Sequence, residues 1–182
     1  MILLPTADGL CQQSGRRKNQ PFFQFGFTLI ELMMTIAVLA VLVTLAAPSF
    51  DSAILNGKLT SFANNFLAST RLARSEAIKR NAPVTLCRSN DGATCATSGG
   101  WEQGWIIVSG TTVILQQAAL TSGYLLAGNA YSIAFLPDGT SATPATLKLC
   151  RSTPSPGSQD REIKISATGH ASVRTTNTGV CS

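Results

Sequence analysis

The 182 residues carry 14 Lys and Arg against 9 Asp and Glu, a formal net charge of +5. That length suits one modest domain with an added segment. The mild positive balance permits contact with nucleic acid or an anionic surface without arguing for it. The sequence holds no nucleophile–base set, phosphate-binding loop or metal-ligand cluster, which argues against an enzyme and calls for no cofactor.

The basic trio Arg16-Arg17-Lys18 comes shortly before a long apolar run. Between 29 and 47 only Glu31, Thr35 and Thr44 are polar. As a helix rising ~1.5 Å per residue, this run spans roughly 29 Å, just enough for a hydrocarbon core of about 30 Å. The trio predicts a cytoplasmic leader, with residues after Phe50 on the far side of the membrane. The rival is a removable secretory signal. Its apolar region is usually shorter, carries no acid and ends in a small-residue site, of which Ala46-Ala47-Pro48 is a poor version. An acid inside a membrane-spanning segment is rare and by default functional. The plainer account of Glu31 is a carboxylate that snorkels to the nearby interface.

Residues 27–80 read as one helix. Its first half is apolar all round, and Pro48 should kink it by removing a backbone donor. Its second half is amphipathic: Leu55, Leu59, Phe62, Phe66, Ala73 and Ala77 form one stripe. Lys58, Arg71, Arg74, Lys79 and Arg80 lie mostly off that stripe. Asn81-Ala82-Pro83 ends the helix, since the residue before proline is pushed out of the α region. Short strands are then predicted at 84–87, 105–108, 112–116, 131–136, 146–150, 162–166 and 171–174. A polar loop at 88–100, the turn Pro137-Asp138-Gly139 and a hairpin loop at 152–160 lie between them. Strands of this spacing predict an α+β fold, with an antiparallel sheet packed on the helix.

Cys11 lies in the leader. Cys87, Cys95, Cys150 and Cys181 lie beyond the span, where an oxidising compartment favours disulfides. They allow three pairings, and the sequence alone does not choose among them, although proximity favours Cys87–Cys95 with Cys150–Cys181. Zinc is the rival use, but there is no C-x-x-C and the only histidine is His170. Trp101 and Trp105 read as core and loop anchors ahead of a recognition surface. His170 has no nucleophile pattern beside it and reads as a polar surface residue.

Gly26-Phe27-Thr28-Leu29-Ile30-Glu31, followed at once by the apolar run, resembles the class III signal of type IV pilins and pseudopilins. Several head motifs resemble the GspH/FimT group within that superfamily. They are 71–81 (Arg-Leu-Ala-Arg-Ser-Glu-Ala-Ile-Lys-Arg-Asn), 84–89 leading to Asp91-Gly92 and Cys95, and Trp101-Glu102-Gln103-Gly104-Trp105. Ile133-Ala134-Phe135, 147–150 and 165–169 continue the likeness, which covers nearly all of 26–182.

The resemblance implies a pilin fold in three parts. Residues 1–26 would be a leader, cut after Gly26 by a prepilin peptidase, with N-methylation of Phe27. That leader is longer than most in the family, and a start codon near Leu10 would shorten it. Residues 27–50 would be a transmembrane and assembly helix. Residues 51–182 would be a periplasmic head, with its helix at 51–81 and its sheet at 83–182. Glu31 would pair with the Phe27 ammonium of a neighbouring subunit and set register, because charges attract strongly in low dielectric. The family's usual arrangement also implies the pairs Cys87–Cys95 and Cys150–Cys181.

The implied function is a minor pilin of the bacterial inner membrane that primes or caps type IV pilus assembly, and so serves twitching motility, as FimU- or FimT-like proteins do. Its partners would be the peptidase, other minor and major pilins, and membrane lipid. The alternative is a GspH-like minor pseudopilin of type II secretion. A further alternative follows from FimT-like pilins that bind DNA for transformation through a Gly-Arg-x-Arg motif. The matching place here is Gly169-His170-Ala171-Ser172-Val173-Arg174, which keeps only Arg174 nearby. Arg151, Arg161, Lys164, His170 and Arg174 are the residues that would form such a patch. An ordinary solvated strand face is the plainer reading, since phosphate binding needs several cations together.

Overall fold

The computed structural model describes residues 26–153, 157, 159–178 and 181, with the backbone alone at 45–49. Residues 1–25, with Cys11 and the basic trio, lie outside the described residues, as does part of the 152–160 loop. One helix, α1, runs Leu29–Arg80. Eight strands follow: β1 Val84–Arg88, β2 Trp105–Ser109, β3 Thr112–Gln117, β4 Tyr124–Gly128, β5 Ser132–Phe135, β6 Ala145–Arg151, β7 Asp160–Ile165 and β8 Ala171–Thr176. The chain divides into two compact units, 1–41 and 42–182. The kink expected at Pro48 falls where only the backbone is described.

The helix stops where the sequence predicts. Asn81 adopts a left-handed φ of 49°. Its N–H bonds to Ile78 O at 3.3 Å, and the Ala82 N–H to Ala77 O at 3.3 Å. These are the two bonds of a Schellman cap, with asparagine in place of the usual glycine. Pro83 then prevents continuation.

The head holds two four-stranded antiparallel sheets, ordered β3-β2-β1-β5 and β4-β6-β7-β8. This differs from the single sheet expected. β4 is not among the predicted strands because Ala127 and Gly128 are poor strand formers and leave only Tyr124-Leu125-Leu126 as a strand signal. Its pairing with β6, Tyr124↔Arg151 through Gly128↔Leu147, is what starts the second sheet.

The core lies where α1 meets both sheets. Leu55, Leu59, Ala63, Phe66, Ala73 and Ala77 are buried along one stripe of the helix. Phe66 sits between two tryptophans, with Trp101 and Trp105 each edge-on at 5.2 Å between ring centres. Both indoles are buried and hydrogen-bonded: Trp101 Nε1 donates to Ala130 O and Trp105 Nε1 to Ser69 Oγ, each at 2.9 Å. The tryptophans are therefore anchors of the core, as expected, and present no recognition surface. The short 3-10 turn Trp101–Gln103 also joins the two sheets. Its Glu102 carboxylate accepts from the Leu126 N–H of β4 at 3.3 Å, and its Glu102 O accepts from the Leu120 N–H at 2.8 Å.

Two tight turns meet the helix through Arg74, whose Nε donates to Gly139 O at 2.8 Å. A Cβ on Gly169, which has φ +72°, would lie 2.2 Å from that same carbonyl. Gly169, in the segment 165–169, is thus a packing glycine: only a residue without a side chain lets the β7–β8 turn close on the β5–β6 turn.

Candidate functional site

The N-terminal end of α1 has an ordered start. Thr28 stands just before the helix, where its Oγ1 accepts from the Glu31 N–H at 3.2 Å and its carbonyl from the Leu32 N–H at 3.1 Å. It is an N-cap, with Glu31 at the third helical position. The Thr-x-x-Glu spacing is the signal in the sequence that could have located this cap. The cap leaves Gly26 and Phe27 outside the helix, and Phe27 is 79% exposed. Glu31 has no ion-pair partner among the described residues.

Around and beyond Glu31 the helix shows apolar side chains on every side. Leu29, Leu32, Met33, Ile36, Leu39 and Val43 are all exposed. Such a continuous apolar surface is far larger than a soluble monomer tolerates and marks an interaction site. Among the described residues no helix is long and apolar enough to cross a membrane. The apolar run 29–47 reaches into the positions where only the backbone is described.

In the head, the cysteines form Cys87–Cys95 and Cys150–Cys181, each with Cα atoms 5.6 Å apart. The first closes the loop after β1. That loop also wraps the buried Arg88, whose Nε donates to Ala96 O at 3.3 Å, whose Nη1 donates to Gly99 O, and whose guanidinium lies 3.7 Å over the Tyr131 ring. Arg88 was not among the expected functional residues; carbonyls and a ring face hold it in place of a carboxylate. Asp91 caps the same loop. Hydrogen bonds from the Thr94 N–H and hydroxyl, then the Ala93 N–H and the Ser89 hydroxyl, hold its carboxyl well below the usual range.

The five residues of the candidate DNA patch do not come together. Arg151 and Arg161 point inward to α1. Arg151 Nη1 lies 3.1 Å from Asp51 Oδ1. The buried Arg161 reaches Asn56 Oδ1, and Thr60 Oγ1 at 3.3 Å. Lys164 and Arg174 lie on the opposite face of the second sheet. There Arg174 is bound by Glu162 at 2.9 and 3.1 Å. His170 is exposed in the β7–β8 turn, and its N–H donates to Ser166 Oγ at 3.2 Å. Successive residues of a strand alternate in face, so neighbours 160–165 cannot all serve one surface. Of the five, only Lys164 and Arg174 share that face, beside the Glu162 carboxylate, which suits the plainer reading of a solvated strand face.

A family model described as the Type II transport protein GspH matches residues 63–169, more than half of the chain. This chain belongs to the GspH family. A second model, the prokaryotic N-terminal methylation motif, matches residues 23–47. The chain is therefore a type IV pilin or pseudopilin of the GspH/FimT group, and that class of protein is membrane-anchored before it assembles. Among solved structures, the type IV minor pilin FimU of Pseudomonas aeruginosa is similar in two crystal forms. One matches with a TM-score of 0.51 at 19% identity, covering 64% of this chain and 92% of that one. The other has a TM-score of 0.52 at 18% identity, covering 65% and 90%. The minor pseudopilin EpsH of the Vibrio cholerae type 2 secretion system has a TM-score of 0.48 at 16% identity, covering 64% and 96%. The FimU likeness concerns the fold. No curated protein matches the chain.

Proposed function

We propose that this GspH-family protein is a minor pilin that primes or caps a type IV pilus. The observation that carries the reading is the exposed apolar helix surface from Leu29 to Val43, which starts at the Thr28 cap and carries Glu31 as its one acid. Apolar side chains on all sides suit first a bilayer and then the packed helices of a filament. In this reading the peptidase cuts after Gly26, residues 27–50 hold the subunit in the inner membrane, and 51–182 stand in the periplasm. Glu31 then pairs with the Phe27 ammonium of a neighbour, because an unpaired carboxylate among apolar helices is heavily penalised. Other pilins are the partners, and the chemistry is assembly with no reaction of its own.

A role in the type II secretion pseudopilus is the second reading, supported by the description of the matching family. DNA capture has less support, because the head separates its cations. The test is surface pilus yield in a clean deletion of the gene. Loss of pili, restored by the wild-type gene, supports the pilus reading. Normal pili with lost enzyme secretion overturn it in favour of secretion, and normal pili with lost transformation overturn it in favour of DNA uptake.

A further inference from the structure

The hairpin of β6 and β7 is gripped on both faces at the same end. On its inner face, Arg151 binds Asp51, and Arg161 binds Asn56 and Thr60, so both strands hold the same stretch of α1. On its outer face, the residues immediately before these arginines hold the C-terminal tail. Cys150 is bonded to Cys181. Asp160, buried, accepts from the Thr178 hydroxyl at 2.6 Å and from the Thr178 N–H at 3.2 Å. Lys148 Nζ completes this outer cluster, 3.1 Å from Asp160 Oδ2. The two neighbouring pairs, Cys150 with Arg151 and Asp160 with Arg161, thus each put one residue toward the tail and the next toward the helix, as strand alternation requires.

The stretch of helix held in this way needs support. Asp51, Ser52, Asn56 and Gly57 are poor helix formers. Its core contribution is limited to Leu55 and Leu59, while Asp51, Ser52, Asn56, Gly57 and Thr60 are exposed. Beside Leu55, Leu59 and Lys58, whose Nζ stands 5.8 Å from the centre of the Tyr124 ring, the two arginines tie it to the head, and they stand on the hairpin end that the tail clamps.

We propose that the C-terminal tail is a strap that fixes helix residues 51–60 to the head through the β6–β7 hairpin. Formation of Cys150–Cys181 and seating of Thr178 on Asp160 then determine how rigidly the head is carried on its helix. This inference stands whether the filament is a pilus or a pseudopilus.

Hydrogen exchange on the full chain in detergent micelles tests it, comparing wild type with three variants. Thr178→Val keeps both the disulfide and the Lys148–Asp160 pair. Asp160→Asn keeps the disulfide. Cys150→Ser with Cys181→Ser removes the covalent link. The expected result is that amides of 51–60 exchange at least about fivefold faster in each folded variant, while those of β1 and β2 keep wild-type rates. Faster exchange confined to 177–182, with 51–60 unchanged, overturns the coupling. An equal rise across β1, β2 and 51–60 overturns it as well, since that reports general destabilisation.

Discussion

Replacing Ser69 by alanine gives a prediction whose sign is informative. Ser69 lies on the buried stripe of α1, 3% exposed, and its Oγ accepts from Trp105 Nε1 at 2.9 Å while donating to Asn65 O at 3.1 Å. Helix propensity alone says that Ser69→Ala should stabilise, by roughly 0.5 kcal/mol. The structure says the opposite. Trp105 is 1% exposed, so removing the acceptor leaves an indole N–H buried with neither protein nor water to receive it. Leaving such a donor unpaired costs about 1–3 kcal/mol. Asn65 O loses only its second bond, since the helical one remains. The net expectation is a loss of about 0.5–2.5 kcal/mol out of the ~5–15 kcal/mol that holds a typical domain folded. Urea unfolding followed by tryptophan fluorescence should show the midpoint falling at constant slope. In the Trp105→Phe background no N–H is left to orphan, and there Ser69→Ala should be neutral or slightly stabilising. A Ser69→Ala protein as stable as the wild type, or the same loss in both backgrounds, would refute the reasoning.

Gly169→Ala should destabilise the head by about 1–3 kcal/mol, because a left-handed φ coincides with a backbone oxygen in the path of the new Cβ; an unchanged urea midpoint would contradict the packing described. Acid should loosen the tail. Burial pushes the Asp160 pKa up, but hydrogen bonds from the Thr178 hydroxyl, Lys148 and the Thr178 N–H outweigh it and hold the carboxyl below its ordinary 3.8. A depressed folded pKa means stability that is present above the unfolded value and lost as pH falls through the folded one. Stability should therefore drop below about pH 4, and Asp160→Asn should be less stable at neutral pH but flatter across that range, as read from urea midpoints. Glu31→Ala should leave cleavage after Gly26 intact, seen as the shortened chain on a gel, yet reduce incorporation into sheared filaments; normal incorporation would sink the pairing idea.

Local chemistry explains how much could be read without coordinates. The long helix, its buried stripe and its end at Asn81 were legible, because a period near 3.6 and a following proline act through neighbours in the chain. The exposed apolar segment with Glu31 was equally plain, and so were the positions of seven strands. Thr28 was legible in principle through its spacing to Glu31.

What the tertiary structure alone decided concerns partners far apart in sequence. The split into two sheets depends on β4 meeting β6 and β5 meeting β1, pairings that no local pattern encodes. The three possible cysteine pairings were reduced to one by which sulfurs the folded head brings together. The fate of the cations was decided in the same way. Arg151 and Arg161 look like surface charges in the sequence. A single residue of alternation turns each toward α1, where Asp51, Asn56 and Thr60 from about a hundred positions away receive them. Composition and periodicity determine which residues want burial, but only the closed fold determines which polar groups meet, because a hydrogen bond depends on geometry to within a fraction of an ångström.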